Sequence, residues 1–216
     1  MPRKMRSPEE NRLLRNATFA RCHRWLVPWK IAFLAPMLIV MAALSTSAQV
    51  LPVSLQDMVE RAGIIVSGRV VDVRQGGHPD YPHVTVTYVT VEIEESFKGL
   101  SADRRRFTFM QFGGQGLTRV PELPSYRQGE RVILFLYPKS RYGFTSPVGG
   151  IQGKLSVQPD PRTGERRVTL VMPRARFLEG LSQEVRSLMT DSIEPDELTT
   201  MRYRAFRAVI RRLVSR

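Results

Sequence analysis

The sequence predicts a mainly β domain, a small barrel with a short N-terminal helix before it and two C-terminal α-helices after it. Three observations carry that expectation. Between residues 64 and 172, runs rich in Val, Ile, Thr and Phe are punctuated by Gly and Pro, which is the chemistry of strands and tight turns. The longest run alternates apolar and polar residues but changes phase midway, as a strand does when it bulges and coils between two sheet surfaces. Beyond Met172 the apolar spacing changes from two to helical intervals.

The chain of 216 residues starts polar and basic, with Arg3, Lys4, Arg6, Arg12, Arg15, Arg21, Arg24 and Lys30, then turns apolar from Ile31 to Leu44. STSAQ follows. A basic leader, a short apolar core and small residues at Thr46 and Ala48 are the parts of a secretory signal peptide, residues 1–48, cleaved between Ala48 and Gln49. An uncleaved anchor is the alternative, although the apolar run falls short of the roughly 20 residues of a spanning helix and Pro36 interrupts it. Either way the basic leader stays inside and residues after 49 are exported, to the periplasm or beyond the cell. Membrane contact through the N-terminus is expected only if the leader is retained.

The sole cysteine, Cys22, lies in the leader. The exported part is therefore without disulfides, thiol nucleophiles or thiolate metal sites. Formal net charge is +13, but the leader holds eight of the Lys and Arg residues against two acids, so the remainder is only mildly basic. Outside the cytoplasm that excess points to an envelope protein or an anionic surface rather than nucleic acid.

The first exported element is a helix in LPVSLQDMVERAG: Ser54 caps it, Asp57 completes a capping box, Gly63 ends it, and Leu55, Met58, Val59 and Ala62 form its apolar face. IIVSGRVVDVRQ is a strand, and HPDYPH the loop after it. In HVTVTYVTVEIEESFKG, Val84, Val86 and Tyr88 share one parity and Val89, Val91, Ile93 and Phe97 the other, which predicts a bulge near Tyr88 and Val89. RRFTFMQF is a third strand, and ERVILFLYP a fourth whose unbroken apolar run predicts burial on both faces. YGFTSPV reads as a short fifth strand, and GKLSVQPDPRTGERRVTLV as a hairpin. Residues 49–172 thus form the barrel domain and 173–216 a helical extension. In the extension one helix spans Arg176–Met189, with Phe177, Leu181, Val185 and Leu188 on its inner face. A second opens near Pro195, with Leu198, Met201, Phe206, Val209, Ile210 and Leu213 inward.

With these elements in place, SLQDMVERAGIIVSGRVVDV, VTYVTVEIEESFKG, QFGGQG, VPELPSYRQGERVILFLYP and GFTSPVGGIQGK resemble a family of uncharacterised exported bacterial proteins over roughly residues 50 to 172. The order of a long bulged strand, an FKG turn and a G-E-R-V-I-L-F-L strand is also similar, more distantly, to the OB-like barrels of netrin and metalloprotease-inhibitor modules. That resemblance implies an OB-like barrel. It does not imply inhibition, because those modules use an N-terminal cysteine and disulfides that the exported part lacks.

Catalytic motifs do not occur. GQGLTR carries two glycines of a dinucleotide fingerprint, but Arg119 stands in place of the third, and Pro121 and Pro124 occupy the position of the phosphate-binding helix. Nucleophile elbows and zincin motifs are missing, and Glu94 and Glu95 point to opposite faces of their strand. His78, Asp80 and His83 share one loop, yet their composition is equally that of a turn. No catalytic residue, metal or cofactor is expected; an unrecognised enzyme stays an alternative.

Two surfaces are candidates. Gly113 to Gly129 is a connection of about 17 residues, longer than the roughly 12 to 15 beyond which loops are usually functional; it would display Leu117, Arg119, Leu123 and Tyr126 to a partner, or merely serve as turn chemistry. On the last helix Arg204, Arg207 and Arg211 form a basic stripe, which would meet an anionic surface, or simply be the solvated face of a packed helix. The expected role is that of a non-enzymatic binding or structural module of the cell envelope.

Overall fold

A computed structural model describes residues 51–114, 118–190 and 200–215, which fall within one compact unit, Val50–Arg216. The leader, the Ala48–Gln49 junction, Leu117 and Pro195 to Leu198 lie outside the described residues.

Helix α1 (Leu55–Arg61) begins where the capping box predicts. The Ser54 hydroxyl accepts from the Asp57 amide at 3.2 Å and donates to the Asp57 carboxylate at 2.8 Å, which satisfies an amide the helix itself leaves unpaired. Leu55, Met58, Val59 and Ala62 are all buried. Ser54→Ala is expected to lower stability by about 1 kcal/mol, read as a drop in the denaturant midpoint; an unchanged midpoint would show that the cap contributes nothing.

Among the described residues seven strands follow: β1 (Ile64–Gly77), β2 (Thr85–Lys98), β3 (Arg106–Phe112), β4 (Arg131–Leu136), β5 (Lys154–Pro159), β6 (Arg166–Thr169) and β7 (Thr200–Arg202). They form a single antiparallel sheet in the order β3-β2-β1-β4-β5-β6-β7, so the domain is mainly β, as predicted. The hairpin β5–β6 stands where GKLSVQPDPRTGERRVTLV places it. The segment around Phe144, expected as a short strand, makes two isolated bridges instead, Met110 with Phe144 and Leu136 with Pro147.

The phase change in β2 is not a bulge at Tyr88 and Val89. Those residues pair without a break, Arg74 and Val73 on one side and Met110 and Phe109 on the other. Register shifts fall elsewhere in the β1–β2 ribbon, beside Val66, Gly68 and Asp72. Burial simply changes face along an unbroken strand: Val86 is covered on one side, and Val89, Val91 and Ile93 on the other.

Two cores result. One lies between the sheet and the helices and includes Leu55, Met58, Ile65, Ile133, Phe135, Leu155 and Phe206. The other gathers residues of β1 to β4, Val66, Val70, Val89, Val91, Phe109, Val132, Leu134 and Leu136, around Tyr126. Strand β4 feeds both, odd residues into one and even residues into the other, and Val132 to Leu136 are completely buried. The apolar run of ERVILFLYP predicts this directly.

The C-terminal segment departs further from its predicted form. Arg176–Met189 is not one helix but α2 (Arg174–Phe177) and α3 (Gln183–Thr190), separated at Gly180, whose φ of +79° only glycine adopts readily. The break shifts the phase, so Leu188 is 45% exposed and Met189 is buried. Met201, expected on a helix, sits in β7, where Arg167, Val168 and Thr169 pair with Arg202, Met201 and Thr200. Covering the otherwise open edge of β6 outweighs the local helical spacing. Helix α4 (Tyr203–Val214) then buries Phe206, Val209 and Ile210 as predicted, with Phe206 stacked on Phe177 at 5.8 Å.

Candidate functional site

The loop before β4 is held down at most of its described length. Gln111 donates to the Pro124 carbonyl at 3.1 Å, Ile151 donates its amide to Glu122 at 3.0 Å, and Lys154 donates to the Ser125 carbonyl at 2.6 Å. Tyr126 is not displayed to a partner: it is 5% exposed, packs edge-on against Phe109 at 5.6 Å, and carries the Lys154 ammonium over its ring at 4.9 Å. Burial, and then the charge of Glu130, push its phenol far above the ordinary tyrosine range. Arg119 is exposed and Leu123 half-buried. With Tyr126 they line only a cleft of about 300 Å³. A buried aromatic in a loop is indistinguishable from an exposed one by composition, so sequence alone misplaces it.

The basic stripe of α4 is brought to the sheet. Glu95 of β2 takes Arg207 and also Arg211, the latter at 2.6 Å, while Arg204 is exposed. Its neighbour Glu94 is the unpaired residue at the register shift beside Gly68, so the two carboxylates line one shallow pocket with Arg207 and Arg211 and do not face apart as strand alternation predicts. Glu94 pairs with Arg131 at 2.9 Å and Arg166 at 2.7 Å. Burial raises the Glu94 carboxyl, but those two arginines outweigh it and hold it below the ordinary value. Most of the helix's predicted surface charge thus serves to fix the helix.

His78 is buried and acts as a strut. Its Nδ1 accepts from the Asp80 amide at 3.1 Å, and its Nε2 lies 2.7 Å from the Tyr142 carbonyl, which assigns the proton to Nε2. Both ring nitrogens are therefore occupied, and Asp80 and His83 are exposed. The strut joins the β1–β2 loop to the loop after β4.

Between those two loops and β3 lies a groove of about 840 Å³. Four successive residues of β3, Phe107 to Met110, form one wall, and Lys139 to Gly143 form the other. Its cations are Arg104, Lys139 and Arg141, against the single carboxylate of Asp80. None of the three forms a salt bridge among the described residues, whereas Arg131, Arg166, Arg207 and Arg211 are paired. Beside the groove stands a cluster of rings. Tyr81 and Tyr142, 42% and 43% exposed, meet edge-on at 6.2 Å, and His78 contacts Tyr81 at 5.1 Å and Phe144 at 5.0 Å. The Arg141 guanidinium lies over Tyr142, 4.5 Å from its centroid.

This arrangement can bind an anionic group and pack flat or apolar groups against tyrosine, because charge left unpaired by the protein is available to a ligand. The histidine loop was visible in the sequence as a candidate, but its partners were not. The available signals were two short basic–aromatic runs, RRRF at the start of β3 and KSRYGF after β4. No protein-family model matches the chain, and no curated protein is significantly similar to it.

Proposed function

We propose that the chain is an exported, non-enzymatic binding module of the bacterial cell envelope, in which strands β1 to β4 close as an OB-like barrel and the groove along β3 is the ligand face. The observation that carries this is the set of three unpaired cations beside two exposed tyrosines. Three cations lining one groove with a single carboxylate give it a positive potential that favours an anionic ligand.

Closure is supported by the segment Phe144–Val148, which reaches both edges. The Thr145 amide donates to Met110 of β3 at 3.0 Å, the Tyr137 amide just beyond β4 donates to Ser146 at 3.0 Å, and the Val148 amide donates to Phe135 of β4 at 2.7 Å. The second core, drawn from β1 to β4 with Tyr126 inside it, has the composition of a small barrel interior. Export is supported by the basic leader and its apolar core. Membership of the uncharacterised exported family belongs to the same proposal. Association of α4 with an anionic surface has less behind it, since Arg207 and Arg211 are already drawn to Glu95.

The test is retention on isolated cell envelopes. Tyr81→Ser with Tyr142→Ser is expected to reduce retention at least about fivefold, the loss of roughly 1 kcal/mol of contact, with the cooperative unfolding transition retained, because neither ring belongs to either core. Retention equal to wild type would overturn the assignment of the groove.

A further inference from the structure

We infer that the groove takes an extended acidic peptide, added as a strand to the open edge of β3. The inference rests on the groove being the ligand face and names what occupies it.

Strand β3 ends the sheet order. On its outer side the described residues supply one isolated bridge, Met110 with Phe144, in which the Met110 carbonyl accepts from the Thr145 amide. Main-chain groups in a strand alternate between its two edges, so Thr108, two residues before Met110, turns its N–H and C=O the same way. The pairing of Thr108 with Thr90 agrees: their hydroxyls are 2.9 Å apart, as in a closely spaced pair that exchanges no backbone hydrogen bonds. Thr108 is exposed and lines the groove. The groove therefore contains one point of strand edge, Thr108, whose backbone donor and acceptor face outward beside the bridge at Met110.

Proteins usually blunt such an edge with charge, and here the charge selects. Arg104 and Lys139 lie in the groove beside the edge, so a basic or neutral strand is disfavoured and an acidic one attracted. An added strand forms main-chain hydrogen bonds with the edge while alternate side chains fall to one face. Tyr142 stands exposed in the groove to meet them, with Tyr81 packed edge-on beside it. A glycan or a single-stranded nucleic acid would use the cations and rings but has no backbone spaced to match Thr108 and its neighbours.

The probe is a fluorescent ten-residue peptide of alternating Asp and Val, with both ends blocked, titrated into protein beginning at Gln49 and followed by anisotropy. Both cores lie within the residues retained. Binding is expected, weakened about tenfold or more by Arg104→Glu with Lys139→Glu. Methylating the amide nitrogens of all Val residues, or of all Asp residues, blocks one edge of the peptide at a time and leaves its charge and the protein unchanged. One of the two methylated peptides is expected to bind about tenfold or more weakly and the other near normally. Equal binding by both methylated forms, or no binding of the parent peptide, would overturn strand addition. Binding of fluorescently labelled hexagalacturonate or thymidine decanucleotide, with the parent peptide inert, would sink this inference while leaving the envelope-retention result to stand or fall separately.

Discussion

Phe206→Ala is expected to lower stability by about 3–5 kcal/mol, the cost of removing a fully buried aromatic and leaving a cavity behind. Phe206 is completely buried, stacks on Phe177, and shares one core with Leu55 of α1 and Phe135 of β4. The loss should therefore appear as an earlier single unfolding transition that takes the sheet with it. Denaturant unfolding followed by far-UV circular dichroism reads this directly. A small early loss of helix, with the main transition in place, would mean that α4 rests on the sheet without contributing to its core.

Gly99→Ala should be nearly as damaging, by a different route. Gly99 has φ of +79°, and a Cβ there would stand 2.0 Å from the Gly63 carbonyl oxygen. The left-handed conformation costs an alanine roughly 1–2 kcal/mol, and overpacking against fixed backbone adds roughly 1–3 kcal/mol. Gly129→Ala separates the two contributions, since Gly129 has φ of +89° with nothing within 4 Å of its Cβ position. Chemical denaturation of both variants should show Gly99→Ala the worse by about the overpacking cost of 1–3 kcal/mol. Equal losses would show that the turn after β2 and the start of β1 can move apart freely.

Where a residue's local neighbours determine its state, the sequence was a good guide. Ser54 and Asp57 lie within one helical turn of each other, so the cap of α1 could be read from four residues. The run from Val132 to Leu136 is apolar at every position, and only burial on both faces accommodates that. The failures arise where a distant partner decides. Met201 has helical spacing to Leu198 on one side, but the edge of β6, more than thirty residues away in the chain, draws it into a strand. Tyr126 resembles an interface anchor until Phe109 and Lys154 enclose it. Arg207 and Arg211 read as a free basic stripe because Glu95 lies on another element.

The groove follows the same logic. Its cations come from before β3 and after β4, and its rings from three separate loops and strands. Each piece is unremarkable in its own stretch of chain. Only the fold, with His78 tying the two loops together, assembles them.

The central claim is that this groove, and not the loop before β4 or the basic helix, is the binding face. The most direct measurement compares retention on isolated envelopes of three surface variants beside wild type, with the melting temperature of each recorded. They are Lys139→Glu with Arg141→Glu in the groove, Arg119→Glu in the loop, and Arg204→Glu on the helix, where Arg204 is exposed and outside the Glu95 pairs. The account predicts that the groove variant alone loses retention. Full retention by the groove variant, with loss in the loop or the helix variant at unchanged melting temperature, would contradict it.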